Sequence, residues 1–325
     1  MSEFKLENIS VPAGTKKTGY LPVTNRPDGS MVSIPLIIVN GKEDGPTLLV
    51  TASQHGDEHE GTLSVINLSK TLDPAKMKGT FIGIPVLHVD AFHGMQRGSH
   101  YDKYIGDMNR IHPGRDDGFM TEKISHVFFE KIVSRADALV DLHCGANYLY
   151  LTEQVGFEDS SNRELAKSVG GSWDILWNAG EKPFGSGTSK GACAKIGLPA
   201  IILELGGMGG RLDHFQEDIA KMVNGITNVM KYLNILEGKP QTAEKYTEIH
   251  LLQKHCNHGG IVVLEPDFAI RNWVKKGKKL MNIIDFFGNT VEEIIAPFDG
   301  LITGVRVYPL VHAGDWVVMI GEPIE

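Results

Sequence analysis

The sequence predicts an α/β sheet covered by helices on both sides, followed by a small all-β domain. Two observations carry this. Over residues 1 to about 240, short apolar runs rich in β-branched residues alternate with stretches of helical period; beyond Leu236 no long helical period appears. Alternating strands and helices give a covered α/β sheet, whereas short runs separated by turn residues read as β structure.

The strand-like runs are Met31 to Val39, Thr47 to Ala52, Thr80 to His88, Ala138 to His143 and Ala200 to Leu205. Between them, Phe119 to Ala136 places Ile124, Val127, Phe128, Ile132 and Val133 on one helical face. Asp218 to Leu236 does the same with Ile219, Met222, Val223, Ile226, Met230 and Leu233. Glu237 to Lys245 is polar with Gly and Pro, so it reads as a linker. The division is therefore residues 1–240 and 241–325. In the tail, Gly260 to Leu264, Leu280 to Ile284, Gly300 to Val307 and Trp316 to Ile320 are the expected strands.

Composition narrows the function. The 325-residue chain is 42% hydrophobic and 22% charged, enough to bury a full core. A net charge of -8 and a pI near 5.9 speak against nucleic-acid binding, which would show a basic stripe. Met1 to Lys5 lacks a signal-peptide pattern, and no apolar run approaches the roughly 20 residues of a membrane helix. The three cysteines are widely spaced and write no disulfide framework. The expectation is a soluble cytoplasmic protein that binds neither nucleic acid nor membrane; a homo-oligomer is compatible with it.

Three of the strand-like runs end in polar segments: Gln54-His55-Gly56-Asp57-Glu58, Asp141-Leu142-His143-Cys144-Gly145 and Leu203-Glu204-Leu205-Gly206-Gly207. Open α/β sheets gather functional groups outside the carboxyl ends of their strands. If the three strands are neighbours, His55, Glu58 and His143 offer two imidazoles and a carboxylate. That set binds one catalytic Zn²⁺ and leaves a position for water. Taken singly, His55-x-x-Glu58 arises by chance, and His143 is an ordinary core histidine. Asp141 either orients a ligand or caps a loop. Glu204 stands between two leucines, where a carboxylate is costly unless it has a task. General base beside the metal is such a task; reaching solvent or an arginine is the bland alternative.

The loop after Thr80 to His88 carries Arg97 and then Asp107-Met108-Asn109-Arg110. Asn109 and Arg110 can grip a carboxylate, because guanidinium is a planar bidentate donor. The other candidates read as structural. His59 is too close to His55 and Glu58 to join them. His255-Cys256-Asn257-His258 lacks a second ligand pair. Cys144 reads as a packing residue.

Together these segments resemble the succinylglutamate desuccinylase/aspartoacylase family of zinc carboxypeptidase-like hydrolases. The resemblance implies a mixed sheet flanked by helices, with zinc on His55, Glu58 and His143 and with Glu204 catalytic. It also implies that Asn109 and Arg110 bind the substrate carboxylate and that Arg97 polarises the scissile carbonyl. Arg211 is the candidate for a second polar group of the substrate. Tyr148, Tyr150 and Tyr308 are alternative sources of a substrate-contacting phenol. Val274 to Leu280 and Val311 to Val317 share a V-x-x-G-x-x-apolar frame around Ala296-Pro297-Phe298-Asp299-Gly300. The tail thus resembles a biotinyl/lipoyl-type barrel-sandwich, yet the expected hairpin tip, Phe286-Phe287-Gly288-Asn289, has no lysine for a cofactor.

The expected activity is zinc-dependent hydrolysis of the amide bond of a small N-acylated amino acid, such as an N-acetyl or N-succinyl amino or diamino acid. One alternative is a zinc carboxypeptidase acting on short peptides. Another, of a different class, is a non-catalytic carrier or binding protein built on the tail.

Overall fold

A computed structural model describes residues 3–178, 187–208 and 213–324. Its main sheet has 12 strands. At its centre, Lys78–Ile84, Glu43–Ala52, Ala138–His143 and Ala200–Gly207 lie side by side and parallel. The three strands expected to deliver the site are therefore neighbours, and their carboxyl ends open on one edge.

Antiparallel strands extend the sheet both ways. Met31–Asn40 and Thr15–Asn25 follow Lys78–Ile84, and Leu149–Phe157 follows Ala200–Gly207. The sheet is thus mixed.

Two cores cover its faces. Helices Glu60–Thr71 and Phe215–Tyr232 pack on one, burying Val65, Leu68, Met222, Ile226 and Val229 against Val50, Val140 and Leu203. On the other, Ile124, Phe128, Ile132 and Cys193 pack on Leu49, Ile82 and Leu139. The helical period of Phe119 to Ala136 is realised in three pieces. An α-helix Met120–Val127 runs into a π-turn Phe128–Ile132 and a 3₁₀ turn Val133–Arg135. The wide π-turn keeps the adjacent pair Phe128 and Phe129 on the buried side.

The tail strands occur as Gly260–Leu264, Lys279–Ile284, Gly300–Arg306 and Trp316–Pro323. The tail also continues the main sheet. Thr247–His255 pairs with Ile175–Asn178 on one side and Trp316–Pro323 on the other. Gly300–Arg306 pairs with Trp316–Pro323 and with Leu149–Phe157, so five strands close into a circuit beside the site. Cys144, Cys193 and Cys256 are free and buried. No helix among the described residues is long and apolar enough to cross a membrane.

Candidate active site

His55 and Glu58 lie in the turn between the strand Glu43–Ala52 and the helix Glu60–Thr71. The Glu58 amide donates to the His55 carbonyl at 3.3 Å, which folds the segment back. Gly56 is required by close approach: a Cβ there would stand 1.9 Å from the carbonyl carbon of Ala91. His143 is the last residue of its strand.

The three ligand atoms lie within 4.8 Å of one another, and all three residues are buried. Glu58 Oε1 is 2.7 Å from His55 Nδ1, and Glu58 Oε2 is 2.8 Å from His143 Nδ1. The other ring nitrogens face carboxylates: His55 Nε2 is 3.0 Å from Asp107, and His143 Nε2 is 3.0 Å from Asp141. If each Nε2–H donates to its carboxylate, each Nδ1 turns a lone pair toward Glu58. Two lone pairs and a carboxylate so close repel unless a cation or added protons stand between them. The arrangement is that of metal-binding imidazoles backed by carboxylates, and a divalent cation fits it.

Asp141 is further held by Gln54 and Ser189, and Gln54 by His112 at 2.6 Å. Asp141 therefore holds the His143 ring and does not cap a loop. Asp107 stands in the same relation to His55 across 52 residues, a role that its Asp107-Met108-Asn109-Arg110 segment does not signal.

The remaining candidates converge on the same cleft, of ≈ 320 Å³, lined by His55, Glu58, His143, Arg97, Asn109, Arg110 and Glu204 among others. Glu204 is half-buried. Burial, reinforced by Glu58 and Asp141 and opposed by His143 and Arg97, pushes its carboxyl up to about 8. Burial also works against charge on Glu58 and His143, but their neighbours win: His55 and then His143 act on Glu58, and Asp141 and then Glu58 act on His143. Glu58 is held below the usual carboxylate range and His143 well above its usual value.

Arg97 donates to Asp107 at 2.9 and 3.1 Å and stands 3.8 Å from Glu58. Asn109 is tied into the scaffold. Its Oδ1 accepts from the Ser189 amide at 2.8 Å, and its Nδ2 is 3.3 Å from His143 Nε2. Arg110 donates to the Asn109 carbonyl at 2.7 Å. Arg211 lies outside the described residues.

Of the three tyrosines, Tyr148 lines the cleft, edge-on to Tyr308 at 5.9 Å. The Tyr150 hydroxyl turns to Asp218 at 3.3 Å. His59 bonds the Gly56 carbonyl region and packs on Phe92, away from the cluster. Among the described residues, His255, Cys256 and His258 form no metal group; His258 pairs with Glu292 at 3.3 Å. Cys144 lines the cleft wall, and its backbone N–H donates to Glu58 at 3.3 Å.

Sequence reasoning missed two sets of lining residues. Lys190 is buried and paired with Glu158, with its ammonium 5.3 Å over the Trp177 ring. From the tail come Leu251, Gln253, Arg306, Asp315, Trp316 and Met319. None carries a catalytic motif, although Asp315 and Trp316 lie in the V-x-x-G frame; the closed strand circuit brings the tail residues in.

The succinylglutamate desuccinylase/aspartoacylase catalytic domain matches residues 44–233. The chain belongs to this family. It is 29% identical to an N-alpha-acetyl-L-2,4-diaminobutyric acid deacetylase of Halomonas elongata over 323 residues, 94% of this chain and 90% of that one. A product-bound ectoine utilization protein EutE (DoeB) from Ruegeria pomeroyi superposes with TM-score 0.82 at 26% identity, covering 96% of this chain and 97% of that one. A succinylglutamate desuccinylase from Silicibacter sp. has TM-score 0.83 at 23% identity, with 97% of each chain covered, which is a likeness of fold. The family is one of deacylases, and the His55, Glu58 and His143 group could hold a metal ion.

Proposed function

We propose that this protein is a zinc-dependent deacylase that cleaves the N-acyl amide bond of a small N-acylated amino acid, such as an N-acetyl or N-succinyl amino or diamino acid. One observation carries the reading. Two imidazoles and a carboxylate that could hold a metal ion, a half-buried carboxyl with raised pKa, and the pair Asn109 and Arg110 line a single cleft. A metallohydrolase acting on a small anionic amide needs that combination. The deacetylase relative supports a diamino acid as the amino component.

His55, Glu58 and His143 would hold one Zn²⁺ per chain. Zinc in such a site acidifies a bound water toward neutrality and polarises a carbonyl. Glu204 takes the proton from the attacking water and returns it to the leaving nitrogen. Arg97, close to Glu58 and braced by Asp107, adds positive charge where the carbonyl oxygen becomes negative. Asn109 and Arg110 hold the substrate carboxylate, Arg110 as the charged fork. Asn109, engaged with Ser189 and His143, also fixes the geometry behind the metal. Arg211 is assigned to a second polar group of the substrate. Asp141 and Asp107 keep the ligand rings aligned.

The tail, residues 241–325, is read as a barrel-sandwich of biotinyl/lipoyl type without the carrier function. Its residues on the cleft give it the task of closing the site. The setting is read as cytoplasmic.

A panel of N-acetyl and N-succinyl amino acids set against dipeptides, assayed with zinc-loaded protein, tests the reading. Hydrolysis of N-acyl amino acids is expected. Preference for dipeptides would make the protein a carboxypeptidase instead.

A further inference from the structure

Gln154, in the cleft wall, is wholly buried and meets no hydrogen-bonding partner among the described residues. Its exposure is 0%, and neither Oε1 nor Nε2 has a partner among the described residues. Buried side-chain amides are nearly always bonded, because a carboxamide taken out of water at both ends is costly. Gln154 nevertheless lines the cleft.

Strand register explains where it points. Gln154 is opposite Glu204 on the neighbouring antiparallel strand, so both project from the same sheet face. The adjacent pair on that face is Ile202 and Gly156. A Cβ on Gly156 would fall 2.3 Å from the Trp177 indole, so the ring lies across the bare glycine. The charged neighbours are already paired, Lys190 with Glu158 and Arg306 with Asp315. The wall beside the base is therefore a neutral carboxamide set in an apolar frame of Ile202, Leu151 and Trp177.

Substrate chemistry says what lies against it. Glu204 returns a proton to the leaving nitrogen, so that nitrogen sits at Glu204. The α-carboxylate goes to Asn109 and Arg110. The amino acid's side chain then runs along the wall beside Glu204, where Gln154 stands. We propose that Gln154 is a specificity-determining residue that hydrogen-bonds the end of that side chain, its Oε1 accepting from a terminal N–H group. This rests on the deacylase reading. The substrate class is an N-acylated amino acid with a short side chain ending in an amine or a carboxamide.

The test compares wild-type, Gln154→Leu and Gln154→Glu proteins, all zinc-loaded, on N-acetyl-2,4-diaminobutyrate, N-acetylasparagine and the apolar N-acetylnorvaline. Wild type should prefer one of the first two over norvaline, and which one identifies the terminal group. Gln154→Leu should cut that preference in kcat/KM by roughly 10- to 100-fold, leaving norvaline hydrolysis unchanged or improved. The near-isosteric Gln154→Glu should retain or sharpen preference for an amine; toward a carboxamide it keeps the acceptor and loses only the N–H, so that preference should fall less than in Gln154→Leu. An equal loss on all three substrates in Gln154→Leu, or no wild-type preference, would overturn the proposal. If wild type hydrolyses none of them, the deacylase reading fails by itself. Calorimetric binding of free 2,4-diaminobutyrate, asparagine and norvaline then decides the role of Gln154. A polar preference lost in Gln154→Leu upholds it, and equal binding of the three overturns it.

Discussion

His143 and Glu204 are register partners on adjacent parallel strands. The proposed ligand and the proposed base leave the same face of the sheet, side by side, at their strands' carboxyl ends. Their spacing is set by the backbone ladder and not by loops. Leu142 and Leu203, one residue back, are likewise paired and buried in the core. A slip of one residue would exchange the two sets, so the core that stabilises the sheet also fixes the site.

Glu204→Gln keeps the side-chain shape and removes the base. The expected loss in kcat is about 10²- to 10⁴-fold, with metal content unchanged. Steady-state kinetics and metal analysis on the same preparation check it.

The pH profile follows from the same carboxyl. Glu204 accepts a proton, so it has to start ionised, and kcat/KM should rise with pH through its pKa. Burial pushes that value up to about 8. A bound divalent cation favours the carboxylate and moves the limb downward. An ascending limb below pH 8 is expected in the wild-type profile; a flat profile from about pH 5 upward would contradict it.

Asp141→Asn should weaken the metal site without touching a ligand. Asp141 holds His143 Nε2 at 3.0 Å and is itself held by Gln54 and Ser189. Loss of such a partner typically costs about 10- to 100-fold in metal affinity, measurable by competition with a chromophoric chelator.

His88 and His112 predict acid sensitivity of the fold. Burial lowers both to about 4 from the ordinary 6.5. Depressed in the folded state, they contribute stability above 6.5 that is lost as pH falls toward 4. By about pH 5 each should cost about 2 kcal/mol. Denaturant unfolding of metal-free protein at both pH values, with His112→Asn showing the smaller loss, checks this.

Much of the site was legible because its strands are apolar runs ended by polar residues. Ala138–His143 occurs with the bounds its composition suggests. Leu149–Phe157 was hidden by Thr152, Glu153 and Gln154 in its middle, polar residues that face the cleft or pair with the tail. Lys221 and Arg271 neutralise Glu153 there, contacts without a local signature. Helix Glu60–Thr71 was masked by buried Ser64 and Ser69, which bond backbone carbonyls. The tail's role at the cleft depends on pairing between residues about 150 positions apart, Gly304 with Leu151, which periodicity cannot register.

The most direct measurement is hydrolysis of N-acetyl-2,4-diaminobutyrate by metal-stripped protein during titration with zinc. Activity should be absent at the start, appear with added zinc and saturate at one ion per chain. His143→Ala should stay inactive at that stoichiometry. Full activity in the stripped protein, or a His143→Ala variant as active as wild type, would contradict a zinc hydrolase built on His55, Glu58 and His143.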